Sequence, residues 1–516
     1  MLHQQIDRCQ ADVPHRVEDI VALRAIKSPA KVALVAGDQR CTYAELQRAI
    51  EEAANRLACV GVRPRDRIML ICENSIAAVA LYFACTSIGA WPVIVNARLA
   101  SREIDGIREH CSSRLIVFTT GASARTRSHA ERYGAEQISD LSGLGPMAFT
   151  SPNTTAQPEP ELDSDPREEV AAIIYTTGTT GRPKGIMLSH ANLLFVANAT
   201  ANARRLMPGD KVCALLPMSH SLGLTGVLLS SLVSGAEVHL HARFDPTRVL
   251  GGLANDGVSV MIGMPSMYAM LVEYAKRNAL APIAAPALRL ISSAGAPLDA
   301  ATKASVEAAF GQTLHNGYGI SECSPSIALT ALYAPRGDCS VGRILPGIET
   351  KLAGTKKGSD IGELLVRGPG VMKGYYNAAE ETRAAIDDEG WFRTGDLARF
   401  EGDHLFIVGR AKEMIIRFGY NVYPAEIEAV LNAHPGVLRS AVIGREQDGT
   451  EDILALVQLV DGATASATEL ADHAAFRLTA YKRPSEIVIV PEMPLEANGK
   501  IRKAALGDAY RTRAAA

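Results

Sequence analysis

Short apolar stretches alternate with longer amphipathic ones through most of this chain, and that alternation restricts the architecture more than any other feature. Residues 68–72, 115–118, 171–175, 212–216 and 258–262 have strand length and strand composition. Residues 43–59 and 103–111 carry apolar side chains at helical spacing. A strand that is followed by a helix and another strand returns over the sheet, so α/β layers with substantial parallel sheet are expected. At 516 residues the chain is too long for one simple domain. The pattern changes near Gly409. Beyond it lie strand-like 414–417, helix-like 424–432, strand-like 440–444 and 454–460, and a helix before Tyr481. The reading is a large multi-layer α/β domain with mixed sheets over 1–409 and a small α+β domain over 410–516. The Pro-, Thr- and acid-rich segment 151–169 reads as an exposed loop.

Two runs, 74–97 and 212–236, carry no formal charge apart from His220. Both are long enough to span a bilayer. The first is broken by a Gly-Ala-Trp-Pro turn at 89–92 and the second by Pro217, Gly223 and Gly226, so buried core is expected instead of a membrane span. Net charge is -3, which gives no electrostatic footprint for nucleic acid. Nine scattered cysteines without a CxxC pair predict neither a disulfide framework nor a zinc site. They fit reduced thiols in a cytoplasmic protein, and the polar N-terminus has no secretory apolar core.

The most informative segment is YTTGTTGRPKG at 175–185, between the apolar runs 171–174 and 186–188. Gly178, Gly181 and Gly185 let backbone N–H groups approach a ligand closely. Thr176, Thr177, Thr179 and Thr180 add hydroxyl donors, and Lys184 adds a mobile cation. The combination suits a triphosphate, although the spacing is not that of a P-loop.

This loop resembles the signature of the adenylate-forming enzymes, which comprise acyl-CoA synthetases, luciferases and nonribosomal adenylation domains. Thr177 stands where serine is usual and keeps the hydroxyl. The resemblance recurs in order along the chain. It is carried by LPMSH at 216–220, SSAGAPL at 292–298, NGYGISE at 316–322, WFRTGD at 391–396, GRAKEMIIRFG at 409–419 and PLEANGK at 494–500.

What the resemblance implies is a two-step ligase whose cofactors are ATP, Mg²⁺ and coenzyme A. Lys500 is the principal catalytic cation, with Thr177, Glu322 and His220 also in catalytic roles. ATP or AMP is held by Thr176, Thr177, Gly178, Thr179, Thr180, Lys184, Asp396, Arg410 and Lys500. Gly295, Ala296, Pro297, Asn316, Gly317, Tyr318, Gly319 and Ser321 surround the nucleotide, with Tyr318 against adenine and Asp396 on the ribose hydroxyls. Glu322 holds the Mg²⁺ ion. His220, Leu222, Gly223, Leu224, Met264, Ala294, Gly295, Gly319, Ser324 and Pro325 line the acyl pocket. Lys412 is the hinge on which a mobile C-terminal lid swings, and Gly419 and Tyr420 line the tunnel for the thiol arm. His239 and His241 read as structural.

Relatives that activate amino acids place an Asp near residues 219–221, where this chain has Ser219, His220 and Ser221. The expected acid is therefore uncharged and apolar, aliphatic or aromatic. A stand-alone ligase loading a carrier protein is the alternative, and an inactive nucleotide-binding protein is an alternative of another class. A luciferase-type oxygenase is also conceivable, since no motif distinguishes it. The expected partners are small molecules only. A homodimer is compatible with the chain, which carries no signal of oligomeric state.

Overall fold

A computed structural model describes residues 14–138, 141, 143–161, 163–177, 183–355, 360–417, 420–447, 450–495, 501–503 and 505–506. The run 74–97 forms the helix Ile76–Ser87 and the strand Trp91–Asn96. Ser75 caps the helix by accepting from the Ala78 amide, and every helix residue except Ser87 is buried. The run 212–236 forms the end of a strand, the π-helix Leu222–Leu229 and the helix Ser230–Val233. Among the described residues no helix is long and apolar enough to cross a membrane.

Two large sheets make the N-terminal part. In the eight-stranded one, the strands Arg67–Cys72, Trp91–Asn96, Leu115–Phe118 and Val170–Thr177 run parallel at the centre. In the nine-stranded one, Lys211–Ala214, Glu237–Leu240, Val260–Gly263, Leu290–Ser293 and Leu314–Gly319 run parallel. Helices that pack between and over the sheets complete a large apolar core and a second, smaller one that includes Met69, Ile71, Val93, Ile104 and Phe118. A four-stranded antiparallel sheet follows, formed by Glu349–Ala353, Gly362–Arg367, Phe392–Glu401 and His404–Arg410.

The C-terminal domain is smaller and has its own core of Ile415, Val422, Ile427, Leu431, Leu470 and Ala474. Its three-stranded sheet Val437–Gln447, Thr450–Leu459 and Glu486–Val490 is covered by the helices Pro424–Asn432 and Ala467–Arg477. Arg277 and Asp461 form an ion pair across to the large domain at 2.9 Å.

Several strands differ from their sequence-based bounds, two of them in the nine-stranded sheet. The strand expected at 212–216 ends at Ala214, because the Asn74 side chain takes over beyond it. Its amide donates to the Leu216 carbonyl at 2.9 Å and its oxygen accepts from the Met218 amide at 2.8 Å. The strand expected at 258–262 runs instead over Val260–Gly263.

The helix His190–Ala203 opens on a capping box between Ser189 and Asn192. His190 is 1% exposed, and its Nδ1 accepts from the Val17 amide at 3.1 Å. Burial, with a smaller contribution from Arg16, pushes its pKa down to about 3. The Glu18 carboxylate stands 3.7 Å away. Between that value and the ~6.5 of a free imidazole, the unfolded chain binds a proton that the folded chain refuses. Stability is therefore complete above about pH 6.5 and falls as pH drops, by about 2 kcal/mol at pH 5. Urea unfolding of wild type and His190→Asn at pH 7 and pH 5 checks this: the substitution should lower stability at pH 7 but flatten the loss between the two.

Candidate active site

The strands Val170–Thr177 and Pro183–Ser189 pair antiparallel, with Thr176 opposite Lys184 and Tyr175 opposite Gly185. This pairing places Lys184 on the second strand of the eight-stranded sheet, inside the short edge strand Gly374–Tyr375. Its ammonium lies 5.1 Å over the ring of Tyr375, which itself pairs with Ile186 across the same strand. The Tyr375 hydroxyl donates to Glu322 Oε1 at 2.9 Å. Glu322 sits in the single 3₁₀ turn Ser321–Cys323, just past the strand Leu314–Gly319 of the other large sheet. Lys184 and Glu322, expected from sequence to share a triphosphate, are thus joined through a tyrosine that sequence reasoning missed.

The second cluster forms on Asp396. It is 4% exposed and stands opposite Arg410 in the antiparallel register of the four-stranded sheet. Arg410 Nε is 3.2 Å from Asp396 Oδ1, and the Tyr318 hydroxyl donates to Asp396 Oδ2 at 2.6 Å. Burial first, and then the Asp396 charge, hold the Tyr318 hydroxyl well above its ordinary pKa, so it stays a donor. Tyr318 is therefore tied by its oxygen to the carboxylate, which fixes the plane of its ring.

Arg410 leads into the turn Ala411–Glu413. Burial pushes the Lys412 pKa down, and the neighbouring charges of Arg410 and Lys184 add to this. Cations from three elements thus come close enough to act on one another. Glu322 also lies within electrostatic range of Arg410.

Next to the Glu322 turn an apolar surface begins: Ser321 bonds Ser221, which leads into the π-helix Leu222–Leu229. A side chain on Gly295, whose φ is +85°, would lie 3.6 Å from Leu222 and 3.9 Å from Met264. Leu222, Met264 and the backbone at Ala294, Gly295 and Ala296 therefore form a common wall, with Pro297 exposed at its end. A Cβ on Gly223 would fall 2.1 Å from the Pro217 carbonyl, so the π-helix can follow the PMSH turn only with glycine there. His220 holds the same turn: its Nδ1 accepts from the Leu222 amide at 3.3 Å, and its carbonyl accepts from Leu224. Gly319 pairs with Ser326 across the strands, beyond Pro325. A π-helix at such a place is a frequent mark of a functional site.

Several residues expected in the site have their polar atoms committed to the scaffold. Asn316 donates to the Cys339 carbonyl at 3.1 Å and accepts from the Gly317 amide at 3.0 Å. Ser324 gives its hydroxyl to the Gly370 carbonyl at 2.9 Å and is fully buried. Ser321 and Ser221 hydroxyls bond each other at 2.9 Å. These bonds hold the side chains in the framework around the site. Tyr420 stacks on Tyr481 with ring centres 4.4 Å apart at the surface of the small domain. The side chain of Thr177, together with Gly178, Thr179, Thr180, Gly181, Gly419 and Lys500, lies outside the described residues.

Clustered cations, two carboxylates and an apolar wall can together hold a polyanionic nucleotide beside an acid. The comparisons agree with that chemistry. Residues 22–376 match the AMP-binding enzyme family, and residues 426–500 match the AMP-binding enzyme C-terminal domain. A feruloyl-CoA synthase from Amycolatopsis sp. is 33% identical over 487 residues, covering 93% of this chain and 96% of that one. A long-chain-fatty-acid–CoA ligase of Mycobacterium tuberculosis is 30% identical over 497 residues, covering 94% of this chain and 97% of the other. Among solved structures, the o-succinylbenzoate CoA synthetase of Bacillus subtilis in complex with ATP and magnesium ion superposes with a TM-score of 0.79 at 28% identity. That match covers 95% of this chain and 99% of the other.

The chain belongs to the AMP-binding enzyme family. Within it, the chain is an ATP-dependent, AMP-forming acid–CoA ligase that works through an acyl-adenylate.

Proposed function

We propose that this ligase activates an acid with an apolar body, aromatic or aliphatic, and that the two polar clusters and the slot divide the work. The observation that carries this reading is the meeting of the Asp396–Tyr318–Arg410 and Glu322–Tyr375–Lys184 clusters near the apolar wall of Leu222, Met264 and Gly295, which we read as one side of the acid's slot. Asp396 accepts the ribose hydroxyls, and Tyr318 presents its ring to adenine. Lys184, Arg410 and the threonine loop at 176–180 neutralise phosphate oxygens. The acid lies in the slot with its carboxylate toward His220. One of its oxygens attacks the α-phosphorus and pyrophosphate leaves. The thiol sulfur of coenzyme A then attacks the acyl carbon, and AMP leaves with the bonding pair.

Magnesium takes few protein ligands and completes its shell with phosphate oxygens and water, so one carboxylate suits it. Glu322 supplies that carboxylate and Tyr375 orients it. When bound, the ion neutralises charge on the phosphates. The domain over 410–516 acts as the mobile lid on 1–409, with Lys412 as its hinge. Every residue invoked lies within one chain. The eight described cysteines are all free, which supports a cytoplasmic setting.

Pyrophosphate release over a panel of acids, with and without coenzyme A, tests the reading. Release should depend on the acid, favour apolar acids, and yield a thioester when coenzyme A is present. Thioester formation only on a holo-carrier protein would move the assignment to the carrier-loading alternative. Tyr375→Phe tests the metal arm. A hydrogen bond to a charged group contributes about 1.5–3 kcal/mol, so kcat/KM should fall about tenfold. Half-saturation by Mg²⁺ should rise with it, and an unchanged Mg²⁺ titration would remove Tyr375 from the metal's support.

A further inference from the structure

Tyr375, whose hydroxyl bonds the Glu322 carboxylate, sits on an edge strand of only two residues, Gly374–Tyr375. Its backbone is fixed to the strand that carries Lys184. Tyr375 pairs with Ile186, and the amides of Lys373 and Tyr376 donate to the Met187 and Gly185 carbonyls at 2.9 and 2.7 Å. Thr382 Oγ1 accepts from the Tyr375 amide at 2.9 Å. The side chains that flank Tyr375 lead elsewhere. Successive residues of a strand point to opposite faces, so Tyr376 turns away from Glu322 as Tyr375 turns towards it. Tyr376 is 4% exposed, and its hydroxyl donates to Glu159 Oε1 at 2.6 Å. On the other flank, Lys373 Nζ is 3.1 Å from Glu168 Oε2 and 3.8 Å from Asp163 Oδ2.

All three carboxylates belong to the Pro-, Thr- and acid-rich segment 151–169, expected from sequence to be an exposed loop. Its described residues are tied to the eight-stranded sheet instead. Arg114 Nη1, Arg63 Nη2, Arg67 Nη1 and Arg65 Nε donate to the carbonyls of Asn153, Ala156, Gln157 and Glu159 at 2.7, 3.0, 2.6 and 2.9 Å. Arg67 opens the strand Arg67–Cys72, its side chain is 4% exposed, and its Nη1 also stands 3.1 Å from Glu159 Oε1. The Glu159 carboxylate is thus held by a buried guanidinium and passes that hold to Tyr376 through a charge-assisted bond. Further along, Trp91 Nε1 donates to Glu169 at 3.4 Å. A segment with little apolar content is anchored by arginines, and it grips the Tyr375 strand from both ends.

We propose that the segment 151–169 is a positioning strap for the magnesium arm, with Tyr376–Glu159 and Lys373–Glu168 as positioning pairs that set where the Tyr375 hydroxyl meets Glu322. None of these four residues touches substrate or metal. They act through Tyr375, and the inference rests on the reading of Glu322 as the carboxylate for Mg²⁺. That ion demands near-ideal octahedral geometry, so its affinity responds to small displacements of a ligand. Outer partners that orient a ligating carboxylate are worth about 10–100-fold in metal affinity. A two-residue strand cannot supply that precision alone, and the strap supplies it from the sheet.

The test is calorimetric binding of ATP, with no acid present, over a series of Mg²⁺ concentrations. It compares wild type, Tyr376→Phe, Lys373→Met and the double variant, each with and without Tyr375→Phe. Either single change should raise the Mg²⁺ half-saturation about threefold, and the two together about tenfold, no more than Tyr375→Phe alone. In the Tyr375→Phe background neither should raise it further, because the hydroxyl they position is gone. A loss of urea stability should be the same in both backgrounds, which separates positioning from a structural role. Should Tyr376→Phe fail to fold, Lys373→Met, whose side chain is 26% exposed, carries the same cycle. No rise with the Tyr375 hydroxyl present overturns the inference, as does an equal rise with and without it. If Tyr375→Phe itself leaves the half-saturation unchanged, the metal reading of Glu322 falls and the strap's role falls with it. A response to Tyr375→Phe without one to the strap variants sinks only the strap.

Discussion

An Asp396→Ala enzyme is expected to need roughly a hundredfold more ATP to reach half its maximal rate of pyrophosphate release. The carboxylate is 4% exposed and holds the Tyr318 hydroxyl at 2.6 Å and Arg410 Nε at 3.2 Å. An ionised carboxylate is purely an acceptor and takes several hydrogen bonds at once, which is what a ribose diol asks of it. Each hydrogen bond to a charged group is worth about 1.5–3 kcal/mol, and two such bonds do not add fully. About 2.7 kcal/mol, or a hundredfold, is the conservative sum. The substitution also leaves a buried tyrosine hydroxyl and a guanidinium without their anion. Asp396→Asn keeps one acceptor oxygen and should recover about tenfold of the loss. Tyr318→Phe should cost less than either, because its hydroxyl only orients the ring and the carboxylate. Wild-type dependence on ATP in Asp396→Ala would remove the ribose assignment, whatever happened to kcat.

The two-domain α/β architecture was legible because it depends on patterns that survive in one dimension. The helix Pro424–Asn432 matches its sequence-based bounds, since proline at its first position and the apolar spacing of Ile427 and Leu431 mark it locally. The uncharged run 74–97 is buried as expected, and the glycine that breaks it in the sequence lies between the helix Ile76–Ser87 and the strand Trp91–Asn96. The π-helix was not legible. In Leu222–Leu229 every residue is buried, so no polar face reveals the period of the turn.

Long-range tyrosine contacts were hidden as well. Tyr375 and Glu322 are 53 residues apart, and only the pairing of Tyr375 with Ile186 brings them together. Adjacent arginines at 204 and 205 look alike in a sequence. The fold sends Arg205 onto the ring of exposed Tyr333 and Arg204 into the core. In the strand Glu237–Leu240, His239 Nε2 meets Glu237 at 2.7 Å, a contact between near neighbours in the chain. The motif residues were readable because each carries its chemistry in its own side chain. What holds them in place comes from elsewhere in the chain, and only packing reveals it.

Lys500→Ala should separate the two half-reactions more sharply than any other substitution in this enzyme. Lys500 lies outside the described residues, but the chain on either side of it is anchored. Leu495 pairs with Ile501, and Lys503 bonds Glu428 at 2.8 Å and Glu413 at 3.1 Å. Glu413 belongs to the turn that contains Lys412, so the tail is tied to the proposed hinge and travels with it. Adenylation forces a carboxylate onto a phosphate that is already anionic. A cation about 4 Å from the developing charge contributes roughly 4 kcal/mol at an effective dielectric near 20. Its loss should slow acid-dependent pyrophosphate release by about a thousandfold. Attack of the thiol on preformed acyl-adenylate brings no second anion against that phosphate, and its rate should stay within about threefold of wild type. If Gly419 lines the thiol tunnel, as its motif implies, Gly419→Leu should do the reverse, leaving pyrophosphate release near normal while thioester formation drops at least tenfold, because a branched side chain would block the arm. Rapid-quench assays of the two half-reactions measure both variants. If Lys500→Ala slows both steps alike, the lysine does not leave between them, and a lid turning on Lys412 loses its mechanistic purpose.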